Sequence, residues 1–321
     1  MHIKLNVLHQ EKLFSLFSEV AFPKFELLIL NTDFACCIIN PSLLMTGEKM
    51  GNEKLTLNPV VQSYEKYDED LRLSADNVRR LEFMTALEYM NKYLKPGDNV
   101  LDVAAGTGAY ALYYAARGVQ MTALDITPSY IDILRQKATD QNIHLTTSVN
   151  DARDLSNFSD QSFDHVFCMG PLYHLPDAED REKVMSECMR VLKSGGLLFL
   201  VYINKFFVFS HLSSENKQFL QEKWFQKIIK EGVMRSSDED CFWTDTWFTT
   251  PSEIEALAKE HHLEKVHHIA QDGIGRILAD HVNAMNTEYF KRWTEFHIRT
   301  CEEPSILGIS NHGLLIGKKI S

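Results

Sequence analysis

The stretch Val100-Leu101-Asp102-Val103-Ala104-Ala105-Gly106-Thr107-Gly108-Ala109-Tyr110 constrains this chain more than any other. An apolar run ends in an acid, passes through small residues and enters a helical pattern. That is a strand feeding a tight loop feeding a helix. The glycines let the backbone turn sharply and let a ligand approach main-chain atoms closely. A second apolar run, Val119 to Leu124, ends in Asp125. An acid roughly 20 residues past a glycine turn is placed to bind ribose hydroxyls. Together these features predict an α/β fold that holds a nucleoside cofactor.

The kind of nucleoside follows from what the turn contains. A dinucleotide pyrophosphate site wants a third glycine so that helix and strand pack closely. Here Gly106-x-Gly108 is followed by Ala109-Tyr110-Ala111, so the nicotinamide signature is imperfect. No Lys-Ser or Lys-Thr follows, so the turn is not a phosphate-gripping P-loop.

The stretch resembles motif I of the class I S-adenosylmethionine (AdoMet) methyltransferases. Asp102, Gly106 and Gly108 match that motif, and Ala104 stands in place of the family's first glycine. Further matches follow in chain order: Asp125-Ile126, the loop Asn150 to Leu155, the strand Ser162 to Phe167 leading into Met169 to His174, and the helix-turn-strand Val191 to Phe199. The resemblance covers roughly residues 75 to 205. It implies a Rossmann-like seven-stranded sheet of order 3-2-1-4-5-7-6, with strand 7 antiparallel, and AdoMet as cofactor. It also implies a cofactor set of Asp102, Ala104, Gly106, Thr107, Gly108, Asp125, Ile126, Asp151, Ala152, Met169 and Gly170, with Asp151 facing the adenine amino group. Resembling enzymes place a tyrosine of the preceding helical segment over the methionine end. Tyr64 and Tyr67 are the candidates here, against a reading as surface or core aromatics.

The chain has 321 residues, 45% of them hydrophobic and 24% charged, an ordinary globular composition. A formal net charge of -11 disfavours a nucleic-acid substrate, which needs a basic surface. Six cysteines without zinc spacing fit a reducing cytoplasm. No apolar run is long enough to span a membrane.

Five segments follow. Residues 1–49 carry apolar residues without a stable period, and Gly47-Glu48-Lys49 before Met50 has purine-rich codons of the kind found at a bacterial ribosome-binding site. The local inconsistency favours a translated leader with the true start at Met50, against a real amphipathic extension. Amino-terminal sequencing of native protein separates the two, since a start at Met1 removes the leader reading. Residues 50–97 form a helical cap, with one apolar stripe from Ser74 to Leu94 that Pro96-Gly97 ends. Residues 98–203 form the cofactor-binding core, 204–250 an aromatic lid insertion, and 251–321 complete the sheet, with Gly275 to Thr300 helical.

Methyl transfer from a sulfonium mainly requires positioning and exclusion of water, and a base only if the acceptor is protonated. His174, at the carboxyl edge of the sheet, is the first candidate base, against a structural histidine bonded to the backbone. Asp245, between two tryptophans, is the second. Trp243 and Trp247 are expected to contact the acceptor, against a reading as the lid's own core. The pairs His261-His262 and His267-His268 are not read as metal sites, because adjacent histidines point differently and no nearby acid completes a set. Gly170-Pro171-Leu172-Tyr173 lacks the Asn/Asp-Pro-Pro-Tyr/Phe pattern of adenine-N6 and glutamine methyltransferases, so the expected acceptor is a small molecule. The resemblance is greatest to bacterial small-molecule methyltransferases of the quinone-biosynthesis type. Two other functions stay open: nicotinamide-dependent oxidoreduction on a similar fold, and a non-catalytic AdoMet-binding regulator.

Overall fold

The computed structural model describes residues 58–66 and 69–320. The leader, Met50 and Tyr67 lie outside the described residues. Seven strands form one sheet: β1 Asn99–Asp102, β2 Gln120–Asp125, β3 Thr146–Val149, β4 Phe163–Cys168, β5 Leu192–Ile203, β6 Leu263–Ala270 and β7 His312–Lys319. Counted within this sheet, their order is 3-2-1-4-5-7-6, as expected from the sequence. Strands β1 to β5 pair in parallel, and β7 runs antiparallel to both β5 and β6. Val100, Leu101, Ala123, Leu124, Val166 and Phe167 are all fully buried. Near-continuous apolar strands of this kind are what helices on both faces of a parallel sheet require.

The register brings the functional ends together. Asp102 pairs with Ala123 on one side and Phe167 on the other, so β1, β2 and β4 finish at one edge. The strand order reverses between β1 and β4. Ligands of open α/β sheets bind outside the carboxyl ends of the strands at such a point.

Helices α1 Pro59–Tyr64 and α2 Asn77–Met90 precede the sheet. The apolar stripe had predicted one helix from Ser74 to Leu94, and both ends are shorter. Asp76 caps the start by accepting from the Arg79 N–H at 2.8 Å, which leaves Ser74 and Ala75 in the preceding turn. Helices α3 Ala109–Ala115, α4 Pro128–Asp140 and α5 Ala178–Val191 connect the parallel strands.

After β5 comes α6 Lys205–Glu215, then a π-helical segment Phe225–Glu231 and a small ribbon of Val233–Met234 against Thr246–Trp247. The chain leaves and re-enters at one point. Asn204 bridges Thr249, and the Lys205 N–H donates to the Thr249 carbonyl at 2.9 Å. Phe219, Trp224 and Phe242 pack together with centroids 4.7 to 5.8 Å apart, giving this segment its own small core.

Helix α7 Pro251–Glu260 opens on a capping box between Thr250 and Glu253. The helical pattern expected from Gly275 to Thr300 is broken into α8 Ala279–Asn283 and α9 Thr287–Thr300. The break has a partner in the cap: the Asn77 amide donates to the Val282 and Met285 carbonyls at 3.0 and 3.1 Å. Carbonyls that a continuous helix would use are taken by α2 instead.

Candidate active site

A cavity opens at the β1/β4 edge. Its floor is the turn after β1. Gly106 and Gly108 both have positive φ, +56° and +91°. Asp125 holds this turn by accepting from the Gly106 N–H and, on its other oxygen, the Thr127 N–H, each at 2.8 Å. Burial raises the Asp125 carboxyl, and these two N–H groups oppose the shift. Asp102 is also buried, accepts from the Ala104 N–H at 3.3 Å, and is pushed up by burial to about 7.

The expected cofactor residues divide by what they reach. Asp102, Ala104, Gly106 and Thr107 line the cavity, as do Asp125 and Ile126. Asp151, Ala152, Met169 and Gly170 line it from the β3 and β4 sides, and Tyr64 from the cap. Gly108 does not. A Cβ there would stand 2.1 Å from Leu134 Cδ1, so this glycine serves the packing of α3 on α4. The alanine in place of the first motif glycine also has a counterpart. A Cβ on Gly170 would come within 3.1 Å of the Ala104 methyl, so Gly170 leaves room for it. Asp151 is gripped by its neighbour: Arg153 donates to both of its oxygens at 2.6 to 3.1 Å and reaches on to Asp180.

The two catalytic candidates meet, but not as two side chains. The His174 ring is buried; its Nδ1 lies 3.1 Å from the Asp245 carbonyl oxygen and its Nε2 2.7 Å from the Tyr64 hydroxyl. A carbonyl can only accept, so the ring proton is assigned to Nδ1 and the bare Nε2 accepts from Tyr64. Burial depresses His174 to about 4, so the ring is neutral. The Asp245 carboxylate accepts from the Ser236 N–H at 2.6 Å and does not line the cavity. Asp245 therefore contributes its main chain, a correction to the expected side-chain role.

The tryptophans also separate. The Trp243 ring lies 5.1 Å from the His174 ring. Trp247 carries the Arg181 guanidinium on its face at 4.2 Å and packs against the core below β4 and β5. No residue of 204–250 lines the cavity, although that segment was expected to supply the acceptor contacts. Trp247→Ala is accordingly expected to lower stability by about 2 kcal/mol or more, read by urea denaturation, with little change in cofactor affinity.

Sequence reasoning missed the cap residues that roof the cavity. Glu69, Asp70 and Arg72 line it. Asp70 pairs with Lys137 and accepts from the Thr107 hydroxyl at 3.0 Å, which ties the cap to the glycine turn. Arg72 donates to Glu69 at 2.7 Å and Glu82 at 2.8 Å. Their charge pattern, Glu-Asp-x-Arg, was visible, but nothing local showed that it folds back over a turn some 35 residues away. The histidine pairs also differ in one respect from expectation. His267 meets Tyr93 and Glu302, while His268 meets Tyr202 and Glu255, so each neighbour has an acid on its own side of β6.

A sheet of this order, with a glycine turn and the acid that ends β2 beside one cavity, is the arrangement that the resemblance to class I methyltransferase domains implied. The chain carries such a domain: residues 100–196 match the methyltransferase domain family. A ubiquinone biosynthesis O-methyltransferase of Xanthomonas axonopodis pv. citri (strain 306) is 35% identical over 120 residues, which cover 37% of this chain and 49% of that protein. The enzyme of the same name from Xanthomonas campestris pv. campestris (strain B100) is 33% identical over 133 residues, covering 41% and 52%. The chain thus spans about half the length of these curated relatives. A SAM-dependent methyltransferase structure from Methanosarcina mazei superposes with a TM-score of 0.51 at 24% identity, over 72% of this chain and 97% of that one, a likeness of fold.

Proposed function

We propose that this protein transfers the methyl group of AdoMet to a small-molecule acceptor. One observation carries the reading: a single cavity gathers the glycine turn, Asp125, the Asp151-Ala152 loop and the Met169–His174 turn, which are far apart in sequence. The residues fit the cofactor. Asp125 keeps lone pairs for ribose hydroxyls beyond the two N–H groups it accepts, and the turn it anchors leaves main chain open to a ligand. The nicotinamide reading finds no support beside this set. The relatives' name makes a hydroxyl oxygen the first acceptor class to test.

Bound AdoMet would supply an already activated methyl group, so the chain's work is to bind, orient and exclude water. A hydroxyl acceptor must also lose its proton. His174 has no ring nitrogen open to the cavity, because Asp245 covers Nδ1 and Tyr64 covers Nε2. A proton leaving the acceptor therefore reaches His174 by way of the Tyr64 phenol, which accepts it as its own proton passes to Nε2. The Asp245 carbonyl holds the tautomer that keeps Nε2 ready. Trp243 packs on the ring and helps to fix it.

Incubation with AdoMet and a panel of hydroxylated, amine and thiol metabolites, read by S-adenosylhomocysteine release, tests the activity. Release with at least one acceptor is expected. Tight AdoMet binding without release across cell extract would favour the regulator. His174→Ala should lower turnover and change its pH profile. The depressed His174 also makes a stability prediction. Its folded pKa lies below the usual 6.5, so the unfolded chain binds the proton more tightly. Its contribution is present above pH ~6.5 and is lost as pH falls towards about 4, up to roughly 3 kcal/mol. Urea titrations of wild type and His174→Ala across that window should show a smaller acid loss in the variant.

A net charge of -11 favours a small molecule over nucleic acid. Among the described residues no helix is long and apolar enough to cross a membrane. Cys168, Cys188, Cys241 and Cys301 are free thiols, which supports a cytoplasmic location.

A further inference from the structure

Glu69 stands in the helical turn Glu69–Leu71, which the cap lays over the glycine turn. Its Cγ is 3.6 Å from where a Cβ on Gly106 would stand. One carboxylate oxygen, Oε1, accepts from Arg72 at 2.7 Å. The other, Oε2, is buried and has no hydrogen-bond partner among the described residues. Leaving a buried carboxylate oxygen without a donor is costly, and such a group in a native structure calls for an explanation.

The charge around it points the same way. Arg72 is shared with Glu82, and behind Glu82 lie His312 at 3.5 Å and Asp272, itself 3.3 Å from His312. Along this run Glu69 shares its one cation, Arg72, with Glu82, while Asp272 at the far end also feels Arg276. Asp102 and Asp125 place two further carboxyl groups in the same cavity. Asp70 is not the group left over, because Lys137 and Thr107 engage it. What Glu69 Oε2 lacks is a hydrogen-bond donor, and a charged ammonium carries three.

A cofactor with its ribose on Asp125 and its adenine towards Ile126 and Asp151 must extend its amino-acid arm the other way. That direction runs over Gly106 towards Asp102, under Glu69. We propose that Glu69 forms a subsite for a primary ammonium group, and that it takes the α-ammonium of the cofactor's methionine arm. The assignment rests on the cofactor reading above. An amine on the methyl acceptor offers the same chemistry, but the contact of Glu69 with the glycine turn favours the cofactor.

The test is calorimetry on the full chain with two ligands. S-adenosylhomocysteine carries the ammonium; 5′-methylthioadenosine keeps the adenosine and lacks the amino-acid arm. Glu69→Gln preserves the acceptor for Arg72 and turns the free oxygen into an amide NH2. S-adenosylhomocysteine should bind Glu69→Gln roughly tenfold more weakly or worse, while methylthioadenosine stays within about twofold. Unchanged S-adenosylhomocysteine affinity would overturn the proposal, and so would an equal loss of both ligands, which would place the effect in the turn itself. Methylammonium chloride titrated into the S-adenosylhomocysteine-saturated wild type separates the two sources. A heat there that depends on Glu69 would move the subsite to the acceptor and overturn its assignment to the cofactor. Wild type that binds neither nucleoside would instead refute the cofactor reading, and this proposal with it.

Discussion

Asp125→Ala is expected to bind AdoMet about 10- to 150-fold more weakly than wild type, a loss of about 1.5–3 kcal/mol, the range for charge-assisted hydrogen bonds to hydroxyls. The structure adds a second source of loss. Asp125 accepts from the Gly106 and Thr127 N–H groups, so its removal leaves two backbone donors without their partner and loosens the turn the cofactor rests on. Asp125→Asn separates the two effects. One amide oxygen can still accept from one of those N–H groups, while the charge on the ribose side is gone. Isothermal calorimetry with AdoMet on both variants should therefore rank wild type above Asn and Asn above Ala. Equal affinity for all three would mean that Asp125 has no part in holding the cofactor.

Gly108→Ala should have the largest effect on the fold of the site. The residue sits at φ +91°, which costs an alanine about 1–2 kcal/mol. The new methyl would also lie 2.1 Å from Leu134 Cδ1, an overlap that requires α4 to shift or Leu134 to leave its rotamer. Overpacking of that kind typically costs a further ~1–3 kcal/mol. Urea denaturation should show a loss of about 2–5 kcal/mol, and the weakened variant should lose cofactor affinity as the start of α3 moves. A loss below about 0.5 kcal/mol would mean that the tight α3–α4 contact is not there in solution.

These two residues also show what the sequence made legible. Both lie in the strand–turn–helix–strand stretch around Gly106, where local signals and global fold agree. An apolar run, a glycine turn and an acid mean the same thing whether read locally or in the sheet. The sheet order and the antiparallel last strand came with the family resemblance that this stretch carries. The shortfalls came where a residue's partner is remote in sequence. Asp245 looked like a catalytic acid because it stands between Trp243 and Trp247. In the fold its carbonyl reaches His174 while its carboxylate closes the local ribbon. Nothing local separates main chain from side chain as the functional atom. Gly108 matched the motif, but its packing role was hidden, since the neighbour it accommodates, Leu134, is on the next helix. Glu69, Asp70 and Arg72 read as an ordinary charged stretch until the cap placed them over Gly106. The break between α8 and α9 was hidden for the same reason: the Asn77 amide that takes its free carbonyls is about 205 residues away.

The central claim is that the cavity at the carboxyl edge of this sheet is an AdoMet site. Calorimetric titration of the full chain with AdoMet, S-adenosylhomocysteine and NAD tests it most directly. Saturable binding of the first two at one site per chain is expected, with no heat from NAD. Binding of NAD with none of AdoMet would contradict it.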